Sequence, residues 1–263
     1  MSVGGLGWLA CPVCEEGLAS EGAVLRCPTG HSFDIARQGY VNLLGRAAPE
    51  NADTAAMLAA RARFLSDGHY APIAEAVVDA ARGGNRIVEV GAGTGYYLAA
   101  TLDATPDAEG LATDVSPAAA RRAARCHPRA AAVVADTWRR LPLPDGAADR
   151  LLCVFAPRNP AEFARVLRPG GRAVVVVPGP GHLRELRDRY GLLGVGEDKA
   201  GRVRDAFAGW RAEEQRLSYR MDLSPDGVAD VIAMGPNAFH GLPATTAACA
   251  SLVDVWVLTL AKA

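Results

Sequence analysis

Val88-Glu-Val-Gly-Ala-Gly-Thr-Gly-Tyr-Tyr97 reads as a strand that runs into a glycine turn and then into a helix. Arg86 to Val90 is β-branched and apolar, Gly91, Gly93 and Gly95 follow at alternate positions, and Tyr96 to Ala100 resumes with helix formers. Without a Cβ the turn can take positive φ and let a ligand lie against the main chain, with the free N–H groups of the next helix aimed at it. A dinucleotide site asks for G-x-G-x-x-G. Here the spacing is G-x-G-x-G with Glu89 two residues ahead, which argues against a nicotinamide cofactor.

The next acids extend the reading. Asp114 ends the short apolar run Glu109-Gly-Leu-Ala-Thr-Asp114, 19 positions after Gly95, where an acid at a strand end can accept ribose hydroxyls. Asp136 follows the run Ala131 to Ala135, and Leu141-Pro-Leu-Pro-Asp145 and Val166-Leu-Arg-Pro-Gly-Gly171 come later. Any one acid is also explained by a helix cap or a strand end. In order, the set resembles the class I methyltransferases that use S-adenosylmethionine. That resemblance implies a Rossmann-like, mostly parallel α/β sheet, with Gly91, Gly93, Thr94 and Gly95 under the methionine part, Asp114 on the ribose and Asp136 at the adenine amino group.

The chain of 263 residues is half hydrophobic, with ample core for one large domain or a large and a small one. No apolar stretch nears a membrane span and the N-terminus shows no basic leader, so a cytoplasmic location is expected. The net charge of −1 gives no global attraction to nucleic acid. Lys199 and Lys262 are the only lysines, and arginines crowd into 121–140 and 158–172, which leaves a local basic rim open. Cys153, inside Leu151 to Phe155, reads as a buried small hydrophobe.

Cys11-Pro-Val-Cys14, twelve residues, then Cys27-Pro-Thr-Gly-His31 is a Cys-x2-Cys-x12-Cys-x3-His pattern. Two knuckles closing four soft ligands into a tetrahedron is the structural geometry of zinc, whereas a redox Cys-x-x-Cys needs no third thiol and histidine. With four protein ligands no position remains for a catalytic water, so the metal is expected to hold a small fold together. Met1 to Ala48 carries Arg26, Arg37 and Arg46 against Glu15, Glu16, Glu21 and Asp34, so recognition there would rest on shape and stacking. Trp8, Phe33 and Tyr40 serve either stacking or a tiny core.

Alternating elements complete the catalytic region. Helices are predicted over Thr54 to Ser66, Pro72 to Arg82, Tyr96 to Asp103, Pro117 to Cys126, Pro160 to Leu167 and His182 to Tyr190. Strands are predicted near Gly110 to Asp114, Ala132 to Ala135, Arg150 to Phe155 and Arg172 to Val177, with an antiparallel edge pair over Trp210 to Met221 and Val253 to Lys262. A polar hinge over Asn42 to Thr54 separates two expected domains, 1–44 and 45–263. Asp149 begins its strand and so lies at the edge opposite the ligand.

Cys11-Pro-x-Cys14, Cys27-Pro-x-Gly-His31-Ser-Phe-Asp34 and Arg37-Gln-Gly-Tyr-Val-Asn-Leu-Leu44 resemble the opening of the RlmA family, the 23S rRNA guanine-N1 methyltransferases. The resemblance runs on through Gly68-His-Tyr70-x-Pro72, Phe155-Ala-Pro157 and Pro178-x-Pro-x-His182-Leu, and Met234-Gly-Pro points to the tylosin-resistance branch. It implies Tyr70 and His182 against the cofactor, a zinc-ribbon-like module on a 23S rRNA hairpin, a homodimer, and macrolide resistance as the purpose. It names no proton acceptor; His240 and the Ala156 to Asn159 loop are the candidates. Two other readings stay open: a small-molecule methyltransferase of antibiotic or cofactor biosynthesis, which needs no zinc module, and a non-catalytic zinc-ribbon RNA-binding protein, which needs no acidic series.

Overall fold

Strands buried on both faces must be apolar at nearly every position, and runs such as Ala130 to Val134 and Ala173 to Val177 meet that demand. The computed structural model describes residues 4–196 and 198–262, so Met1 to Val3 of the N-terminal stretch read as lacking a leader, Glu197, and Ala263 lie outside it. A 3-10 turn, Gly4–Trp8, precedes three short strands, β1 (Ala19–Glu21), β2 (Val24–Arg26) and β3 (Ser32–Asp34), which form their own antiparallel sheet. β4 (Tyr40–Asn42) leads to α1 (Ala55–Ser66) and α2 (Ala71–Ala80). Next come β5 (Arg86–Val90), α3 (Tyr96–Asp103), β6 (Glu109–Asp114), α4 (Pro117–Ala123), β7 (Ala130–Val134), β8 (Ala148–Val154), α5 (Pro160–Val166) and β9 (Leu167–Pro178). The last third holds α6 (Arg184–Tyr190), α7 (Lys199–Ala206), β10 (Arg211–Leu223), α8 (Pro225–Ala233), a 3-10 turn Pro236–His240 and β11 (Cys249–Ala261).

The main sheet has eight strands in the order β10-β11-β9-β8-β5-β6-β7-β4. Pairings from β9 through β4 are parallel, and the expected antiparallel pair, β10 with β11, closes the other edge. Side chains at helix starts set the boundaries. Thr54 accepts the Met57 N–H at 3.2 Å, Ser116 that of Ala119 at 3.3 Å, and Asn159 that of Glu162 at 3.3 Å, the last two ahead of a proline at the first helical position. Among the described residues no helix is long and apolar enough to cross a membrane.

β4 departs from the expected organisation. Tyr40, Val41 and Asn42, within the span read as module and hinge, pair in parallel with Ala132, Val133 and Val134 and so extend the main sheet. A three-residue strand has no periodicity to read, and its pairing is decided by a partner 92 positions away. The core follows the same path. Leu6, Trp8, Leu9, Leu18 and Leu25 pack in one buried cluster with Val88, Leu111, Val133 and Leu141 of the sheet's layer. The Ala10 N–H donates to the Pro142 carbonyl at 3.0 Å, and Arg86 lies over the Trp8 ring. Trp8 is therefore core, while Phe33 and Tyr40 are half-buried.

Candidate functional site

The four ligands expected to hold zinc converge. Sulfur and nitrogen atoms of Cys11, Cys14, Cys27 and His31 all lie within 4.8 Å of one another. A tetrahedral zinc with bonds of about 2.3 Å sets its sulfurs about 3.8 Å apart; Cys14 Sγ and Cys27 Sγ are 3.6 Å apart, and His31 offers Nδ1 at 3.4 Å from Cys27 Sγ. The residues fit the metal. The Thr29 hydroxyl stands among them, 3.0 Å from both of those sulfurs and 3.1 Å from His31 Nδ1. Burial pushes the Cys27 thiol up, but hydrogen bonds from Thr29, Cys14 and His31 outweigh it and bring the group down to about 6, the thiolate form a metal needs.

A cleft of about 570 Å³ opens at the carboxyl ends of β5, β6, β7 and β8, the place where open α/β sheets bind ligands. Tyr70, Gly91, Thr94, Asp114, Asp136 and His182 line it. Gly93 and Gly95 do not, and their glycine character has other causes. Both have positive φ; a Cβ on Gly93 would come within 2.5 Å of the Arg61 guanidinium, and one on Gly95 within 2.7 Å of Cys126 Sγ. Asp114 is buried, and its carboxylate accepts N–H groups from Gly93 and Ser116, each at 2.9 Å, so it shapes the glycine turn as well as facing the cleft. Burial raises its pKa, and those two N–H groups pull against the rise. Asp136 accepts the Trp138 N–H at 3.0 Å and pairs with Arg46 at 2.5 Å.

Glu89 is also in the wall and almost wholly buried. Burial first, and the neighbouring charge of Asp114 after it, lift its carboxyl to about 8 against one N–H from Leu98. Tyr70 and His182 form a buried pair, Tyr70 Oη to His182 Nε2 at 3.2 Å, while His182 Nδ1 accepts the Asp254 N–H at 3.3 Å. Burial holds the imidazole down at about 4. A neutral ring whose Nδ1 accepts carries its proton on Nε2 and donates it to Tyr70. His182 is thus no proton acceptor.

Several wall residues carried no sequence motif. The segment read as a hinge supplies Arg46, Pro49, Asn51, Ala52 and Asp53; Asp53 pairs with Arg61 at 2.6 Å, and Arg61 also donates to the Met234 carbonyl at 2.6 Å. An arginine on a half-buried helix has the same pattern as a solvated one, so only its contacts with Asp53 and Met234 distinguish Arg61. Of the proton-acceptor candidates, His240 is exposed and outside the wall, Ala156 and Pro157 line it, and Asn159 is taken up by the α5 cap and the Thr137 carbonyl. Part of the basic rim is structural. Arg129 donates to the carbonyls of Leu102, Thr105 and Ala108, Arg165 pairs with Glu162 and Asp145, and Arg168 pairs with Asp149 at the start of β8.

Two families match in chain order, the RlmA N-terminal zinc ribbon over residues 9–46 and a methyltransferase domain over residues 87–171. The 23S rRNA (guanine(748)-N(1))-methyltransferase of Streptomyces fradiae is 48% identical over 244 residues, 90% of this chain and 87% of its own. The chain belongs to that family of 23S rRNA guanine-N1 methyltransferases. A provisionally named member from Micromonospora griseorubida is 49% identical over 278 residues, 96% of this chain and 94% of its own. The fold of this methyltransferase is shared more widely: a Haloferax volcanii methyltransferase solved with the Trm112 activator is 20% identical with a TM-score of 0.55, over 81% of this chain and 99% of that one. The enzyme uses S-adenosylmethionine and carries a structural zinc.

Proposed function

We propose that this methyltransferase transfers a methyl group to N1 of a guanine in a hairpin of 23S rRNA, acting as a homodimer in the cytoplasm. The reaction named for the Streptomyces fradiae relative supports the choice of atom. The observation that carries the reading is the path of the chain from the metal knuckles into the cleft: Arg46 to Asp53 leave the zinc ribbon and become cleft wall, so an RNA gripped by the ribbon lies beside the methyl donor. A small acceptor requires no such connection.

On this reading Asp114 accepts the ribose hydroxyls, Asp136 takes the adenine amino group once Arg46 yields it, and the methionine part lies over the glycine turn, of which Gly91 and Thr94 line the cleft. Arg61, packed against Gly93 and held by Asp53 and the Met234 carbonyl, is a wall cation beside the methionine carboxylate. Bound S-adenosylmethionine supplies an electrophilic methyl on a sulfonium. The protein aligns donor and acceptor in line and screens the methyl from water, since positive charge disappears as the methyl moves, and the N1 proton leaves to solvent at the mouth of the cleft. Guanine N1 is hidden in a base pair, so the target must be unpaired or flipped out.

The test is methyl mapping by mass spectrometry on 23S rRNA from cells with and without the protein, together with primer extension on RNA treated in vitro. A methyl at N1 blocks pairing, so extension is expected to stop one nucleotide before the modified base. Extension that reads through treated RNA removes the proposal. Light scattering at working concentration tests the dimer, with a monomer as the refuting result.

A further inference from the structure

β8 ends at Val154, and the next residue, Phe155, takes φ +54°. A bulky L residue rarely adopts this left-handed backbone, and such strain persists only where the surroundings impose it. Here the sheet does so on one side, the Phe155 N–H donating to the Val176 carbonyl at 3.1 Å, and the glycine turn on the other, where Ala156 leaves no room for a Cβ on Gly91. The kink sends the ring into the cleft. It stacks on His182, centroids 5.8 Å apart at 25°, with Tyr70 at 5.9 Å. Tyr70 and His182 are 3% and 8% exposed, whereas Phe155 is 40% exposed. A large apolar ring is fixed on one side by two buried partners and left open on the side that faces the cleft.

We propose that Phe155 is the platform on which the acceptor base stacks for methyl transfer. This rests on the guanine-methylating function proposed above and deepens it. Strand order decides which ring is stacked. Asp136, placed at the adenine, follows β7, and β8 lies three strands away across β5 and β6, about 14 Å at the spacing of neighbouring strands. A base on Phe155 is therefore at the methyl end of the cofactor. Stacking on an aromatic face holds a flipped base without reading its edge, which leaves N1 free to meet the methyl group.

The experiment compares full-length wild type with Phe155→Leu, Phe155→Tyr and Phe155→Asn, using a large-subunit rRNA transcript and labelled S-adenosylmethionine. Asn suits the left-handed backbone, so that variant keeps the fold if Leu does not. Expected are a fall in kcat/KM for RNA on the order of 10- to 100-fold for Leu and Asn, near-recovery for Tyr, and unchanged cofactor affinity by calorimetry. Full activity in the Leu or Asn variant overturns the platform, as does a Tyr variant no better than Leu. Cofactor affinity falling in step with activity overturns it too, because the ring would then be stacking on the adenine. A wild type inactive on the transcript sinks the proposed function and the platform with it; an active wild type with fully active variants sinks the platform alone.

Discussion

The metal knuckles and the cofactor cleft gather their residues in opposite ways. All four zinc ligands come from the 21 residues between Cys11 and His31, while the cleft draws its wall from Arg46 to Asn237. They also treat charge differently. At the knuckles hydrogen bonds favour the Cys27 thiolate, whereas at the cleft burial drives Glu89 toward its neutral form and keeps His182 uncharged. A local site needs little beyond a metal to define it. The cleft exists only when distant strand ends are already aligned, and the shared cluster of Leu9 and Leu25 with Leu111 and Leu141 ties the two together.

That tie gives the largest expected effect. Structural zinc contributes about 10 to 16 kcal/mol in isolated fingers, comparable with the whole stability of a domain at roughly 5 to 15 kcal/mol. Cys27→Ser is expected to release the zinc, lower Tm by more than about 10 °C, and melt the protein in one transition because the core is continuous. Metal analysis with calorimetry checks this. Two separate transitions with cofactor binding intact would mean that the ribbon and the sheet fold independently. For the same reason deletion of residues 1–44 is a blunt tool: it strips β4 from β7 and opens the sheet's edge.

Glu89 tests the cleft's side of the contrast. Its folded pKa of about 8 lies above the ordinary carboxylate value of 4.5, so between those values the folded chain holds a proton that the unfolded chain has lost. Glu89's contribution to wild-type stability should therefore fall as pH rises from 4.5 to 8 and level off beyond, whatever other groups such as His182 add. Glu89→Gln removes that loss. Without cofactor, the variant is expected to match wild type below pH 4.5 and to gain on it up to pH 8, by at most roughly 5 kcal/mol at about 1.4 kcal/mol per pKa unit. Denaturant melts at pH 4 and pH 8 measure it, and a gap that does not widen with pH would show an ionised Glu89.

Asp114 comes next. Its carboxylate is engaged by two backbone N–H groups, with the remaining lone pairs available to a ribose. Asp114→Ala is expected to weaken S-adenosylmethionine binding by on the order of 2 to 3 kcal/mol while the sheet survives. Unchanged affinity by calorimetry would move the ribose elsewhere.

Legibility followed locality. The glycine turn, the acids at the ends of β6 and β7 and the alternation of the parallel strands were readable because each is carried by a few consecutive residues. So were the zinc ligands and the β10–β11 edge pair. β4 was not, since three residues take their identity from a strand far along the chain. Arg46 and Arg61 were equally opaque, for nothing near either one marks it as the partner of Asp136 or of Asp53. Phe155 stood in a recognisable segment without a role, because positive φ and a half-open ring are properties of the fold.

The smallest effect concerns the proton between Tyr70 and His182. His182 stays neutral down to about pH 4, and its Nδ1 is occupied by the Asp254 N–H, so Nε2 is the donor and Tyr70 Oη the acceptor. Burial raises the Tyr70 pKa, which keeps the phenol intact. Its own hydrogen is then free to donate into the cleft that Tyr70 lines. Tyr70→Phe removes that donor and leaves the His182 N–H without its acceptor. The expected loss is about 1 kcal/mol in cofactor affinity and a similar amount in stability, as for a single neutral hydrogen bond. Neither group titrates between pH 5 and pH 9, so the affinity ratio of variant to wild type should be flat across that range. Calorimetric titrations at several pH values decide it: a step in the ratio near pH 6.5 would put a titrating imidazole at the cofactor, and an unchanged affinity would take Tyr70 away from it.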